Sequence, residues 1–504
     1  MNKSLKLIML ALLIQCKLFA VIKLPAVISD NMVLQQKQKI TLWGWADNGE
    51  HITVTESWSG KKVSTIAKEN GKWEAQLLTG EAGGPYTITI KGSNEIVIRN
   101  VMLGEVWLCS GQSNMTFPIA KQTSWKTGII NAEEVIAGSD FPKLRMFITE
   151  QLVANTPQDD TKGRWVICSP QTVGNFSAVA YYFGRNLMQK TGFPVGLIHS
   201  SWGGTPAESW VSKDVLASTE KLKQLLDKYY KNVEEYPASL IKYNQQLGVW
   251  SKDSVNMPAS EKQKTRPKKP ANPETDPHSP TKLYNAMIYP LEPYKLKGII
   301  WYQGESNSDR AEEYKSLFPT LIYNWRRDWK DSLPFYFVQI APHGSKQPEI
   351  REAQLLTFRT VANTGMAVIT DSGDSTDIHP RNKEVVGDRL ARWALAKQYG
   401  VKDLTYSGPV YRSMKIEGNK IRLFFDYAET GLIAKEGDLK DFTITGSDLK
   451  FVPANARIDG QTVIVWSDNI TNPTAVRFEW KNFFVTNFYN GAGLPASPFR
   501  TDGQ

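Results

Sequence analysis

The stretch EVWLCSGQSNM (residues 105–115) begins as a strand and ends as a tight turn. Its first half is a continuous apolar run, which is typical of a strand buried on both faces of a sheet. Gly111 lets the backbone turn sharply, and the turn places the Ser113 hydroxyl at the carboxyl end of the strand, where open α/β sheets bind ligands. We therefore expect Ser113 to be a nucleophile whose amide donates to an oxyanion. A serine that only caps the next helix is the alternative interpretation.

Further apolar runs follow along the chain and alternate with helix-like segments. The runs span residues 195–198, 299–302, 335–340 and 367–370. Apolar residues recur with a 3.6-residue period over residues 314–325 and 385–395, which predicts helices that pack on a sheet. This alternation predicts an α/β fold with a parallel sheet and helices on both faces.

The 504 residues are more than one compact core usually holds, and the pattern changes twice. Period-two runs predict an N-terminal β domain over residues 21–100, before an α/β domain over residues 101–400. A polar, lysine-rich and then proline-rich stretch at about 213–281 predicts a helical insertion that ends in a loop. The β pattern returns in residues 401–504, where Gly418-Asn419 and Asp459-Gly460 predict hairpin turns.

The amino terminus has the pattern of a signal peptide over residues 1–20. Lys3 and Lys6 precede an apolar run at 7–14, and Ala20 is the small residue that a signal peptidase requires. The run is shorter than the roughly 20 apolar residues that span a bilayer, and no later segment reaches that length. We therefore expect export, to the periplasm or outside the cell. Gln15 stands where a lipoprotein needs a small residue, so we do not expect lipidation at Cys16.

Charge and cysteine usage exclude some classes of protein. The net charge of +9 is spread over a long chain, with a local concentration in the proline-containing stretch at 262–269. This stretch lacks the interleaved aromatic residues of a nucleic-acid-binding surface, so we do not expect a nucleic-acid partner. After cleavage only Cys109 and Cys168 remain, and their sequence leaves open whether they form a disulfide or stay as two free thiols. The oligomeric state is also left open.

Polar residues follow two more of the predicted strands. Gly203-Gly204 comes after the run at 195–198, and two glycines there permit a backbone amide to point into a cleft as an oxyanion donor. After the run at 299–302, the side-chain amides of Gln303 and Asn307 are further candidate donors. Glu305, between them, is a candidate to orient neighbours or to act on a substrate hydroxyl. A flexible turn is the plainer interpretation of both segments.

His379 follows the run at 367–370 and is preceded by Asp371, Asp374 and Asp377. A histidine that hydrogen-bonds to a carboxylate is held in the tautomer that can accept a proton from a serine. The alternatives are a loop histidine at a helix start and a calcium-binding aspartate cluster, although the spacing does not match an EF-hand loop.

These clusters together resemble the sialate O-acetylesterases, within the SGNH (GDSL-type) hydrolase superfamily. The similarity covers nearly the whole chain after residue 20. The segments that carry it are SDNMVLQ (29–35), GEVW (104–107), GQSNM (111–115), GGT (203–205), WYQGESN (301–307), DIHP (377–380) and ASPFRTD (496–502).

The resemblance implies a three-layer α/β/α domain of the SGNH type with a β domain on either side. It implies Ser113 as the nucleophile and His379 as the general base, with the Ser113 and Gly204 amides as oxyanion donors. Residues 303–307 would assist, and no metal or organic cofactor is needed. Many SGNH hydrolases place the triad aspartate three residues before the histidine, which is Thr376 here. Asp377 is then the nearest carboxylate, with Asp374, Asp371 or a backbone carbonyl as alternatives.

The function implied is removal of O-acetyl groups from carbohydrates, with 9-O-acetylated sialic acid as the expected substrate. Acetylated xylan or another plant glycan is the competing substrate, because related esterases share these motifs. A catalytically inactive carbohydrate-binding protein is the competing class. The presence of Ser113, Gly204 and His379 at separate strand ends argues against it.

Overall fold

The computed structural model describes residues 21–123 and 127–503. The predicted signal peptide at 1–20, with Cys16, lies outside the described residues. The strands are β1 (Val33–Gln35), β2 (Lys39–Trp45), β3 (His51–Glu56), β4 (Lys62–Ile66), β5 (Lys72–Leu78), β6 (Gly83–Lys91), β7 (Glu95–Gly111), β8 (Phe141–Thr149), β9 (Gly163–Cys168), β10 (Val195–Ser201), β11 (Gly298–Tyr302), β12 (Phe335–Gln339), β13 (Thr364–Val368), β14 (Val410–Glu417), β15 (Lys420–Asp426), β16 (Leu432–Ala434), β17 (Phe442–Thr445), β18 (Val452–Pro453), β19 (Asn455–Asp459), β20 (Thr462–Trp466), β21 (Ala475–Phe478), β22 (Phe488–Asn490) and β23 (Phe499–Arg500).

The helices alternate with the strands in the middle of the chain. They are α1 (Ser113–Thr116), α2 (Ala132–Ala137), α3 (Ala178–Thr191), α4 (Lys213–Leu216), α5 (Glu220–Asp253), α6 (Ala259–Thr265), α7 (Ala311–Asp328), α8 (Pro348–Thr360) and α9 (Lys383–Gln398). Short 3₁₀ turns occupy Val173–Asn175, Ala207–Trp210, Tyr289–Leu291, Glu305–Arg310 and Thr370–Ser372, and a π turn occupies Tyr284–Ile288.

The central sheet runs in the order β13-β12-β11-β7-β10-β8-β9. Neighbouring strands from β13 to β8 are parallel, whereas β9 is antiparallel to β8. Strands β3, β4 and β6 extend the same sheet with antiparallel pairs. The predicted α/β class is confirmed, but the sheet as a whole is mixed and not purely parallel. The central strands β10, β11 and β12 are buried at every residue, which explains their continuous apolar runs.

Strand β7 joins the N-terminal strands to the parallel strands without a break. Its first part pairs with β6, and from Glu105 onward it pairs with β10. The change of sequence pattern at residue 101 therefore lies inside one continuous strand. Because β7 also pairs with β11, its end lies in the middle of the sheet.

Helices α3 and α9 pack against each other, as do α7 and α8. Helix α5 differs, because its buried side chains are confined to Leu222, Leu225 and Leu226 near its start. The remainder of α5 exposes apolar side chains such as Ile241 and Val249. Residues 266–280, after α6, form no helix or strand and return the chain to the α/β core.

The C-terminal residues form small antiparallel sheets. One has the order β14-β15-β20-β19 and a second has the order β18-β17-β21-β23, while β16 pairs with β22. The predicted hairpin turns at Gly418-Asn419 and Asp459-Gly460 connect β14 to β15 and β19 to β20, as expected.

Cys109 and Cys168 are both buried free thiols. The thiol of Cys109 lies beside the Trp107 carbonyl and that of Cys168 beside the Ser139 carbonyl. Burial raises the pKa of Cys168 to about 12 and raises that of Cys109 as well. Of the two alternatives left open by the sequence, the structure has the free thiols.

No helix within residues 21–123 and 127–503 is both long and apolar enough to cross a membrane.

Candidate active site

The turn that carries Ser113 depends on Gly111, the last residue of β7. Gly111 has φ of +141°, and a Cβ there would lie 2.1 Å from the Tyr302 carbonyl oxygen. The Gln112 amide donates a 2.9 Å hydrogen bond to that same carbonyl. Helix α1 then begins at Ser113, whose side chain is partly exposed. Only glycine allows strand β11 to approach this closely, so the turn is specific to this sequence.

Three strands end at the same level of the sheet. Gly111 is paired in register with Ser201 of β10 on one side and with Tyr302 of β11 on the other. The residues that follow each strand therefore meet around Ser113. This register brings the segments after 201 and after 302 beside the serine turn, as the sequence predicts.

His379 lies in the loop between β13 and α9, with its Nε2 atom 2.9 Å from Ser113 Oγ. The imidazole is partly buried, and burial lowers its pKa, with the charge of Lys383 as the next largest cause. A lowered pKa keeps the ring neutral near pH 7, which is the form that can accept the serine proton.

The three aspartates before His379 have different partners. Asp377 Oδ1 lies 3.6 Å from His379 Nδ1 and accepts a 2.9 Å bond from the His379 backbone amide. Asp374 accepts bonds from the amides of Thr376 and Asp377, and it thereby braces the loop. Asp371 forms a two-bond ion pair with Arg389 of α9. Asp377 is thus the one of the three whose carboxylate faces the ring, at an ion-pair distance longer than an ordinary hydrogen bond.

The two glycines after β10 have different neighbours. A Cβ at Gly203 would lie 3.3 Å from Ser113 Cβ. Gly204 has φ of +80°, and a Cβ there would lie 3.3 Å from Nε2 of His278. The Gly204 carbonyl accepts a 2.8 Å bond from the Ser306 hydroxyl. The N–H of Gly204 belongs to the peptide between the two glycines and thus follows directly after the residue whose Cβ position lies beside Ser113.

Gln303 and Asn307 are fully buried and engaged with each other. Gln303 Nε2 donates to Asn307 Oδ1 at 2.6 Å, and Tyr314 donates to Gln303 Oε1 at 2.9 Å. Asn307 also accepts a bond from the Ala207 amide and donates to Glu208 Oε2. These two amides hold the segment after Gly204 in place, and the structure gives them this bracing contact instead of a contact with the Ser113 hydroxyl.

Glu305 lies beneath the serine turn in a buried polar network. Its Oε1 accepts a 2.6 Å bond from Asn114 Nδ2, which also donates to the carbonyl of Ile378 at 3.0 Å. Lys383 donates a 2.5 Å bond to Asn114 Oδ1. Burial raises the pKa of Glu305 and lowers that of Lys383 to about 7. Asn114 therefore links the serine turn to the residue before His379.

Three further residues of the site, Gln112, Asn114 and Lys383, were not predicted from the sequence. Gln112 Oε1 accepts bonds from the amides of Gly304 and Ser306 and so fixes the third strand end. Asn114 and Gln112 lie inside the GQSNM segment, so their position beside Ser113 was the available signal. A lone lysine at a helix start gives no such signal, because most lysines are solvated.

A second serine–histidine contact lies at the end of β10. His199 Nε2 is 2.6 Å from Ser201 Oγ, and this hydroxyl is also 2.7 Å from Thr116 Oγ1. Both residues are buried, and burial lowers the pKa of His199 to about 4. The pair supports α1 from below but does not face solvent, in contrast to Ser113.

Within residues 21–123 and 127–503, no group of three or more histidine, cysteine or acidic side chains is arranged to hold a metal ion. The three aspartates before His379 have other partners: Asp371 pairs with Arg389, Asp374 accepts hydrogen bonds from loop amides, and Asp377 faces the imidazole.

Comparisons with known proteins point to one family. A family profile described as carbohydrate esterase, sialic acid-specific acetylesterase, matches residues 273–396. The chain is 30% identical to the sialate O-acetylesterase of Rattus norvegicus over 94% of its length and 93% of that protein. It is 29% identical to that of Homo sapiens, covering 94% of this chain and 91% of the relative. A solved structure of a carbohydrate acetylesterase from Xanthomonas citri matches with a TM-score of 0.79 and 34% identity, over 96% of this chain and 100% of that one. The chain therefore belongs to the sialate O-acetylesterase family, a family of carboxylic ester hydrolases that act on carbohydrates.

Proposed function

We propose that this protein removes O-acetyl groups from carbohydrates, with Ser113 as the nucleophile and His379 as the general base. The observation that carries the proposal is the 2.9 Å contact between Ser113 Oγ and His379 Nε2 at the carboxyl end of β7. The partial exposure of Ser113 supports it, because an ester must reach the hydroxyl.

The reaction begins when His379 Nε2 takes the Ser113 proton as Oγ attacks the acetyl carbonyl carbon. The carbonyl oxygen becomes an oxyanion, for which the amides of Ser113 and Gly204 are the proposed donors. The imidazolium then protonates the sugar oxygen, and the carbohydrate leaves with a free hydroxyl. Water, activated by His379, attacks the acetyl-serine and releases acetate. Asp377 is the proposed orienting group, since its carboxylate faces Nδ1 and stabilises the charged ring.

We propose O-acetylated sialic acid, with the acetyl group at the 9-position, as the substrate. The names of the mammalian relatives and of the matching profile support O-acetylated sialic acid as the substrate class. The Xanthomonas citri relative is described more broadly as a carbohydrate acetylesterase, so acetylated xylan stays a second candidate. Acetate release from 9-O-acetyl-N-acetylneuraminic acid and from acetylated xylan, compared at equal acetyl concentration, separates the two.

We further infer that residues 101–400 form a three-layer α/β/α domain of the SGNH type, with an insertion at about 213–281. Domains over residues 21–100 and 401–504 would flank it. The parallel order β13-β12-β11-β7-β10-β8 and the helices α3, α7, α8 and α9 support the layers of the α/β/α domain, although β7 runs across the boundary at residues 100 and 101. Export directed by residues 1–20 is also proposed, and amino-terminal sequencing of exported protein that begins near Val21 would support it.

The mechanism predicts that Ser113→Ala, His379→Ala and the double variant lose activity on an acetyl ester to a similar extent. Members of a catalytic unit are far from additive, and each loss should be roughly 10⁴-fold or more in kcat. Asp377→Asn should lose less than either, because its distance from Nδ1 is long. Hydrolysis of 4-nitrophenyl acetate gives the rates.

Exposed residues of the N-terminal strands provide matched controls. Ser64→Ala in β4 and His51→Ala in β3 remove the same side-chain types far along the chain from the site, and both should keep wild-type rates. A folded His379→Ala protein with most of its esterase activity would rule out His379 as the base.

A further inference from the structure

A cavity of about 280 Å³ is lined in part by His278, whose Nε2 atom lies 3.3 Å from the Cβ position of Gly204. It forms where the start of α5 and the returning segment 276–280 meet the 3₁₀ turn Ala207–Trp210. Its size is near the lower limit of the roughly 300–1,000 Å³ typical of small-molecule sites. That volume suits one sugar unit better than a longer glycan segment.

His278 stands at the edge of this cavity in a fixed orientation. Its Nδ1 atom is 2.6 Å from Asp276 Oδ1, and its backbone amide donates to the same oxygen at 3.0 Å. An ionised carboxylate can only accept, so Nδ1 carries the proton and a neutral ring leaves Nε2 as an acceptor. About half of the side chain is exposed, at 53%. His278 therefore presents an oriented and reachable acceptor to a ligand.

The position of His278 relative to Ser113 follows from the two glycines between them. A Cβ at Gly203 would lie 3.3 Å from Ser113 Cβ, and a Cβ at Gly204 would lie 3.3 Å from His278 Nε2. With standard bond lengths and a 3.8 Å spacing between the glycines, Nε2 is no more than about 13 Å from Ser113 Cβ. An acetyl ester at Ser113 would thus leave its sugar within reach of the cavity.

The lining of the cavity is polar and carries both signs of charge, which suits a hydroxyl-rich ligand. Glu208 and Arg310 form a 2.6 Å ion pair in the wall, and Lys228 and Asp276 add one charge of each sign. Tyr229 provides an aromatic side chain beside these polar groups. Donors and acceptors of both charges beside an aromatic side chain suit a sugar ring, which has apolar faces and several hydroxyl groups.

The cavity is also fixed to the candidate active site. Asn307 Nδ2 donates a 3.0 Å hydrogen bond to Glu208 Oε2, and the backbone carbonyl of Glu208 accepts a hydrogen bond from the Thr281 amide. The WYQGESN segment therefore supports both the glycine turn and the cavity wall.

We propose that this cavity binds a sugar ring of the acetylated carbohydrate, with His278 Nε2 accepting a hydrogen bond from one of its hydroxyl groups. The proposal rests on the proposed function and adds a specificity-determining residue from the segment after α6. Asp276 acts as a positioning residue through its bond to His278 Nδ1.

The test compares a small acetyl ester with acetylated carbohydrates. His278→Ala and Asn232→Trp, which fills the cavity from the exposed face of α5, should leave kcat/KM on 4-nitrophenyl acetate within about twofold of wild type. The carbohydrate substrate is whichever of 9-O-acetyl-N-acetylneuraminic acid and acetylated xylo-oligosaccharides the wild type prefers. On it, each variant should lower kcat/KM about tenfold through a higher KM. For His278→Ala this is the loss expected for one hydrogen bond, and for Asn232→Trp it reflects the filled cavity. His278→Gln should recover part of the loss, and His51→Ala is the matched control.

Wild-type kinetics of both variants on the carbohydrate would overturn the proposal, as would equal losses on both substrates. A wild type that hydrolyses no acetyl ester would refute the proposed function instead. In that case calorimetry with the Ser113→Ala protein still tests the cavity. The dissociation constant for the acetylated sugar should rise about tenfold when His278→Ala is added, and an unchanged constant would overturn the inference.

Discussion

Lys383 is a charged residue that is buried beside the candidate active site. It is fully buried at the first position of α9, where its ammonium donates to Asn114 and lies 4.8 Å from the centre of the Phe117 ring. Burial lowers its pKa to about 7, and its charge lowers the pKa of His379 in turn. Asp377 acts on His379 in the opposite direction, and His343 acts in the same direction as Lys383. The basicity of His379 is thus set by residues outside its own loop as well as within it.

The pH profile provides a test of this interaction. Activity should fall as pH drops through the lowered pKa of His379, so the acid limb of kcat/KM should lie below the ordinary value of about 6.5. Lys383→Met removes the repelling charge, raises the pKa of His379 and should move this limb to higher pH.

Lys397, about 21 Å further along the same helix, gives the control. Lys397→Met should leave the limb in place. If Lys383→Met also leaves it unchanged while activity persists, the proposed charge interaction is wrong.

At this scale the sequence predicts Ser113 and His379 at two strand ends, and the structure holds them at hydrogen-bond distance. Their catalytic roles stay predictions. The network of Glu305, Asn114 and Lys383 could not be predicted from the sequence. No local pattern indicates that a lysine at a helix start is buried against an asparagine 269 positions away.

At the scale of elements, the apolar runs at 195–198 and 299–302 lie in β10 and β11, and the run at 335–340 extends one residue past the end of β12. Strand β13 ends at Val368, earlier than the run at 367–370 suggests, because residues 370–372 turn into a 3₁₀ segment. The length of β7 was missed, since polar residues near Asn100 look like the end of a domain in a period-two pattern. Pairing with β6 stabilises those residues as strand regardless of their polarity.

Gly204, in the turn between β10 and the 3₁₀ segment Ala207–Trp210, is the site of a substitution that should lower kcat. Gly204→Val should lower kcat roughly 100- to 1,000-fold with a smaller effect on KM, if the Gly204 amide is an oxyanion donor. Valine at φ of +80° is also strained, so the backbone of this turn should shift.

Gly49→Val separates these two effects, because Gly49 has φ of +76° in an exposed turn with no atom within 4 Å of its Cβ position. It should cost stability and leave kcat unchanged. A folded Gly204→Val protein with wild-type kcat would remove Gly204 from the site.

At the scale of the whole molecule, the C-terminal segment returns to the central sheet. Ser497 bonds to Gln339 at the end of β12, and Arg500 forms two bonds with Glu352 of α8, at 2.6 and 3.0 Å. The similarity of the ASPFRTD segment to the family thus has a structural explanation, because this segment joins the C-terminal strands to α8.

Arg500→Ala should lower the free energy of unfolding by about 1–3 kcal/mol, since it leaves the largely buried Glu352 carboxylate with fewer partners. Its kcat should stay near the wild-type value. Denaturant unfolding followed by tryptophan fluorescence measures the difference.

The matched control is Arg412→Ala, which breaks an exposed pair with Asp426 at 3.3 Å and should cost less than about 1 kcal/mol. Equal stability of the two variants would contradict a joining role for Arg500.

The continuity of β7 has a practical consequence for anyone who wishes to divide this gene. A cut between codons 100 and 101, where the sequence changes character, would sever the strand that ends two residues before Ser113. Fragments made there would each lack half of a shared strand, so swapping the N-terminal portion between relatives should be done upstream of Glu95. Residues 254–270, which follow α5 and are mostly exposed, are the better place for new termini or an inserted tag.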